Sequence, residues 1–349
     1  MRIVNLISAQ AGNSFKNRVK NTLHHILKSS DGTSIVKLDF IVNNSDPDHF
    51  NKEYECIENA LKNVFKDKIP AFSIIFQNIC NNEEFVIQYQ LYDKAEVQYK
   101  KLLNHYYVTV KHGAGLEVFS GAISFKEDSL LFSAQRCFDF AEQILMAEDL
   151  NFGHIYRQWN YIPELNGSSD YDHHERGNLH IFNEIKNFFY EEALFVNGKP
   201  LVNNIHNLGD TLVIEFNAFA KFREAASSKL NLDDNTLIED KGIKSKFIYN
   251  GNNEFWYTSI SDLNQIPADI EQQTIQTLKN IFSHKDICKL ALNVQNHFKF
   301  IRVNIKNNED YNRVEEIVRG LLPDVETVIT SREFHQHNSL IEIEGLISC

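Results

Sequence analysis

The sequence is poor in the residues that punctuate or staple a chain. Its 349 residues include six prolines, 14 glycines and five cysteines. No Pro-, Gly- or Ser-rich stretch separates one part from another, so any units must pack directly rather than hang on tethers. Cys56, Cys80, Cys137, Cys288 and Cys349 follow neither a disulfide ladder nor a CxxC spacing, which excludes a stapled secreted scaffold and a zinc knuckle and points to a reducing cytoplasm. Apolar runs such as residues 212–216 fall far short of the ~20 residues of a membrane helix. The opening MRIVNLISAQAGNSF has no apolar core, so no signal peptide is expected. Positive charge is short too. With 35 Lys and Arg against 47 Asp and Glu, and a net charge of −12, the electrostatics of a nucleic-acid binder are missing. Neither nucleic acid nor membrane is an expected partner.

What the sequence does contain is core material. It is 43% hydrophobic, with 26 Phe and 13 Tyr, which excludes a disordered chain. The length suits two or three domains of about 100–200 residues each.

One order of elements recurs three times. Apolar residues three and four apart predict amphipathic helices over 15–27, 135–148 and 270–282. Each is followed by a strand at 35–42, 154–162 or 298–305, then a second helix at 51–65, 178–191 or 308–321. Asp48 and Asn308 suit the caps of the first and third of these. Two strands close each set: 71–79 with 84–92, 201–206 with 211–219, and 325–330 with 339–347. β-rich leads at 101–124 and 246–263 precede the second and third sets. The closing strands VIQYQL, VIEFNA and LIEIEG overlay with Gln88, Glu215 and Glu342 in one column. Period-two geometry sets Glu342 and Glu344 on one strand face, about 7 Å apart. The fold expected is α/β, with three βαβαββ units at 1–100, 101–228 and 229–349.

Several segments resemble a known family. QQTIQTLKNI (272–281), FKFIRVNI (298–305) and LIEIEGL (340–346) are similar to the RidA/YjgF proteins, which read QT-x-x-TL-x-NI, then a strand, then VEIE. PAFSI (70–74) resembles their PARST turn. In the middle unit RQWNYIPELN (157–166) and HIFNEIKNFFY (180–190) resemble the R-x-WN-Y-x-P-x-x-N and Y-x-x-FN segments of the chorismatases, enlarged relatives of RidA. LEVFSG (116–121) is a weaker echo of the same family. RidA proteins are trimers with ligand sites between subunits, so three units in one chain imply a covalent pseudo-trimer, as a monomer or small homo-oligomer, with three inequivalent clefts.

The resemblance implies chemistry as well. It makes Glu342 a general acid that protonates the enolpyruvyl methylene of chorismate, forms an oxocarbenium ion and releases pyruvate. No metal or organic cofactor is needed, and the implied partner is a small-molecule carboxylate. A carboxylic acid can do this where burial beside a second carboxylate keeps it protonated, and Glu344 is available for that. The alternative, that Glu342 and Glu344 form the solvated face of an edge strand, stays open. Arg157, Arg332 and Lys246, with Lys244, are the cations that could hold the substrate. Asn160 and Tyr161 are binding candidates because the motif centres on them, and Glu215 because it shares the column.

The departures from the family are specific. The arginine of the RidA turn is Phe72 in the first unit, and Glu326-Thr327-Val328 occupies the matching place in the third. Chorismatases carry Cys or Ala seven residues before the acid, where this chain has His335, and Gln336 replaces the arginine after it. His335 could act as acid or base, or position an alcohol. His335 and His337 also have the spacing of two ligands on one strand face, but an ordinary surface loop with two histidines is the preferred reading and no metal is expected. The polar stretch 167–177, with His173 and His174, reads as a solvated loop. His112-Gly-Ala-Gly115 is followed by no helical pattern, so nucleotide binding is not expected. Losing cations weakens the fit to dianionic chorismate, so a non-catalytic RidA-type binder and an enzyme for a less anionic substrate stand beside the first reading.

Overall fold

The computed structural model describes residues 2–43, 46–167, 177–222, 237–240, 242–249, 253–260, 269–284, 297–334 and 339–348. Strand alternation organises the molecule. Along the first closing strand Phe85, Ile87, Tyr89 and Leu91 join a cluster with Val19, Leu23 and Ile26 of the first helix. The intervening Val86, Gln88, Gln90 and Tyr92 are equally buried but point the other way, toward the centre. Each sheet is therefore covered by helices outside and by the other sheets inside.

The first unit runs β1 (Arg2–Ser8), α1 (Phe15–Ser29), β2 (Ser34–Val42), α2 (Pro47–Phe65), β3 (Ala71–Phe76), β4 (Asn78–Ile79) and β5 (Phe85–Tyr92). Next come β6 (Glu96–Leu102), β7 (His105–His112), β8 (Gly115–Ser120), α3 (Leu130–Met146), β9 (Ile155–Pro163), α4 (Asn178–Tyr190), β10 (Leu201–Asn207) and β11 (Val213–Lys221). The last unit runs β12 (Leu237–Asp240), β13 (Ile243–Tyr249), β14 (Asn253–Ile260), α5 (Ile270–Ser283), β15 (Phe298–Ile305), α6 (Tyr311–Leu321), β16 (Glu326–Ser331) and β17 (Ile341–Ser348). A boundary at residue 100 falls inside β6, which pairs with β7 in the second sheet.

Some helix starts differ from the sequence reading. α3 begins at Leu130 because the Ser129 hydroxyl accepts from the Phe132 amide. α2 begins at Pro47, which places Asp48 in the first turn rather than at the cap. Asn308 opens a 3-10 turn before α6, and Asp310 is the residue at the helix start.

The three sheets share one topology. Their orders are β1-β5-β2-β3, β10-β9-β11-β8-β7-β6 and β12-β13-β14-β17-β15-β16-β4. In each, the closing strand (β5, β11, β17) lies between a lead strand (β1, β8, β14) and the strand after the first helix (β2, β9, β15). The remaining strand (β3, β10, β16) runs parallel beside the latter. The central pairs all shift register, between Ile35 and Lys37, between Asn217 and Ala218, and between Phe298 and Phe300, and such bulges twist the strands around the centre. Packing between units is cyclic: β3 lies against β7 and β8, β10 against β13 and β14, and β16 against β1.

The bulges fix which residues correspond. Gln90, Asn217 and Leu346 follow directly on the shift, so Gln88, Glu215 and Glu344 form one column and Val86, Val213 and Glu342 the next. The same count sets Arg2, Glu117 and Glu254 in one column of the lead strands. These three do meet at the pseudo-threefold axis: the Arg2 guanidinium pairs with Glu117, and its Nη1 lies 2.9 Å from Glu254 Oε2. The overlay of Glu342 with Gln88 and Glu215 is thus displaced by two residues. Period-two strands look alike after a two-residue slip, and a bulge is not visible in the alternation.

Candidate active site

The inner faces carry a buried charge network that runs from seam to seam. Between the first and second units, Lys37 Nζ lies 3.0 Å from Glu215 Oε2 and the Ser73 hydroxyl donates to that oxygen at 2.5 Å. Burial alone would raise the Glu215 carboxyl, but Lys37 and the Ser73 hydrogen bond hold it below its ordinary range. Asp39 nearby takes the opposite direction: burial, then the charge of Glu215, pushes it up to about 7. Tyr161 bridges onward, donating to Glu215 Oε1 at 3.0 Å and accepting from Arg302 Nη1 at 3.1 Å. Glu344 then receives Arg302 at 3.2 Å, Arg157 at 2.6 Å and the Trp159 indole at 3.2 Å.

At two of the three seams the equivalent inward position is apolar. Between the first and second units the Ala122 amide donates to the Phe72 carbonyl at 2.8 Å, and Val213 shares an apolar cluster with Ile75. Between the third and first, Val86 packs with Ile41, Ile79 and Val328, and β4 adds to the edge of β16.

The seam between the second and third units differs at one decisive position. Where the others have valine, it has Glu342. Glu342 Oε1 accepts from Asn203 Nδ2 at 2.7 Å and from the Thr258 hydroxyl at 2.9 Å, while Oε2 meets the Arg332 guanidinium. The carboxyl is 6% exposed and sits in the wall of a cavity of about 220 Å³. Lys244 and Arg332 bring positive charge to this cavity and Glu333 and Glu342 negative charge, Asn203, Asn204 and Thr258 add polar groups, and Leu165, Leu179, Val202, Ile260 and Phe334 make its apolar walls. Such a mixture suits a small ring bearing carboxylates.

The structure sorts the residues expected from sequence. Glu342 and Arg332 line the cavity together. Glu344 and Arg157 lie behind it as a buried pair, so Arg157 is committed to the protein and does not reach the ligand space. Glu344 is no solvated edge residue, since β17 is flanked by β14 and β15 and Glu344 is 2% exposed. Glu215 and Tyr161 belong to the buried network at the seam of the first and second units. Asn160 is on the opposite face of β9, where it accepts from Gln158 and donates to Asn204 at 2.8 Å. Lys246 donates to the carbonyls of Asn197 and Lys199 and is pushed down to about 7 by burial. It serves the backbone at the seam, not the cavity. His335 lies outside the described residues, as do His173 and His174.

Asn203, Asn204 and Thr258 were not singled out from sequence. Asn203 reaches Glu342 and Thr258 across the seam, and the Asn204 carbonyl accepts from Arg332 across it, contacts that no local spacing reveals. Among the described residues no group of three or more His, Cys, Asp or Glu side chains could hold a metal, and no helix is long and apolar enough to cross a membrane.

These features define a class: a single-chain α/β pseudo-trimer with a polar, carboxylate-bearing cavity at an inter-unit seam. No family model and no curated protein sequence matches the chain. Solved structures do resemble it. The chain overlays a chorismatase across 99% of its own length and 98% of the other, with a TM-score of 0.61 and 10% identity. A cyanuric acid hydrolase from A. caulinodans matches 100% of this chain and 99% of its own at 7% identity and a TM-score of 0.45. E. coli TdcF, solved with bound serine, matches 32% of this chain and 85% of its own at 19% identity and a TM-score of 0.26. The chorismatase likeness gives the chain its fold: it has the three-unit architecture of a chorismatase.

Proposed function

We propose that the chain is a chorismatase-like enzyme that removes pyruvate from chorismate or a related enol-ether carboxylate. The observation carrying this reading is that, of the equivalent positions Val86, Val213 and Glu342, the only carboxyl stands on the cavity. In this reading Glu342 is the proton donor, and Arg332 and Lys244 stand where they would pair with the substrate carboxylates. The proton goes to the enolpyruvyl methylene, which becomes a methyl group as the adjacent carbon becomes an oxocarbenium centre. Water adds there, and the hemiketal collapses to pyruvate and the ring alcohol. Loss of water from that alcohol gives a hydroxybenzoate. Arg332 and Lys244 carry out the electrostatic work beside the site, His335 remains a proposed aid in directing water, and the steps as written use no cofactor. The three units close the ring within one chain, so a monomer suffices, and a reducing cytoplasm suits its unpatterned cysteines.

The test is incubation of the purified chain with chorismate, followed by assay of pyruvate and aromatic products. Stoichiometric pyruvate is expected; its absence sinks the reading. One observation favours a second, non-catalytic reading: both Glu342 oxygens are already engaged by protein donors. Binding of a keto or aromatic acid with no chemical change would establish that reading instead.

A further inference from the structure

A second cavity, of about 690 Å³, lies between α4 and β10, within the ~300–1,000 Å³ range of small-molecule sites. Its apolar surface is Phe188, Tyr190 and Leu201. The Tyr190 hydroxyl bonds to Gln158, which fixes the ring that faces the cavity. Three lysines converge on the same space from two units: Lys186 on α4, Lys199 just before β10, and Lys244 on β13. Burial, and then the charge of Lys244, push Lys186 down to about 8, so the two ammonium groups work against each other across the cavity. A carboxylate placed between them would pair with both. Glu184 and Glu191 also border the space; like Lys199 and Lys244 they are exposed, and the three lysines leave the lining net positive. Val202 and Lys244 line this cavity and the Glu342 cavity alike.

We propose that the larger cavity is a second ligand site for a carboxylate bearing an aromatic ring or acyl chain, its charge held by Lys186 and Lys244 and its apolar body by Phe188, Tyr190 and Leu201. The common wall at Val202 and Lys244 couples its occupancy to that of the Glu342 cavity.

The probe is 4-phenylbutanoate, titrated calorimetrically into the full chain beside its uncharged amide. One acid per chain is expected to bind, with the amide at least tenfold weaker. Lys186→Gln should weaken the acid about tenfold, and Phe188→Ala, at a position 71% exposed, should weaken acid and amide alike without loss of folding. Arg332→Gln should leave acid binding within twofold. No binding, equal affinity for acid and amide, or a loss in Arg332→Gln that Lys186→Gln does not share would overturn the proposal. These outcomes are read whether or not chorismate is turned over.

Discussion

Arg157 Nη2 lies 2.6 Å from Glu344 Oε2 across the seam of the second and third units, and neither residue is more than 2% exposed. This pair is the counterpart of Lys37 and Glu215 one seam earlier, by the register of the bulged central strands. In both places a cation leaving one sheet is received by the closing strand of the next. At the third seam Phe300 takes the cation's place, and Arg302 reaches Gln88 at 3.2 Å. The repeat therefore conserves a structural device, while Glu342, one inward position further along β17, is where the third unit departs from it.

Removing Glu344 leaves Arg157 buried without its counter-charge, whereas removing Arg157 leaves Glu344 still paired with Arg302 at 3.2 Å. Glu344→Gln is expected to lower unfolding free energy by about 3–5 kcal/mol, and Arg157→Met by less. The double variant Arg157→Met/Glu344→Gln should cost clearly less than the sum. Urea unfolding of the four proteins checks this, and additive losses would mean that the pair does not act as a unit.

Asp39 and Glu117 give the chain opposite pH dependences. Asp39 rises from an ordinary 3.8 to about 7 in the fold, so the folded state keeps a proton that the unfolded chain gives up. Its contribution is full below pH ~4 and is lost as pH rises to ~7, by up to about 4 kcal/mol. Burial works against Glu117, but Arg2 holds it down at about 2, so its contribution is present above pH ~4.5 and is lost on acidification. Asp39→Asn should flatten the decline between pH 4 and 7 and leave the acid limb unchanged. Stability measured across pH for both proteins decides the matter.

Gly345, between Glu344 and Leu346, is required by close approach. A Cβ there would lie 2.7 Å from the Phe300 carbonyl and 2.4 Å from the Tyr257 hydroxyl. Gly345→Ala is expected to cost about 1–3 kcal/mol by overpacking, read as a lower unfolding midpoint. An unchanged midpoint would show that β17 can shift away from β15.

The helices and strands were legible because their periods are local. The stripe of Thr274, Thr277, Leu278 and Ile281 in α5 is buried, as the spacing in QQTIQTLKNI requires. Column assignment failed because period-two strands look alike after a two-residue slip, and the equivalent bulges that set Glu344, not Glu342, in line with Glu215 leave no mark on the alternation. Period two shows that Asn160 and Tyr161 face opposite ways, but not which of them faces inward. Arg157 and Lys246 read as spare cations in sequence; their partners, Glu344 and the Asn197 and Lys199 carbonyls, come from other units. Glu342 emerged only because the ending LIEIEGL resembles a family motif.

The most direct measurement compares pyruvate release from chorismate by the wild type and by Glu342→Gln, with urea unfolding run on both. The wild type should release one pyruvate per chorismate consumed. Glu342→Gln should be at least about 100-fold slower while still unfolding cooperatively. Equal rates in the two proteins, or no pyruvate from the wild type, would contradict a catalytic acid at the seam of the second and third units.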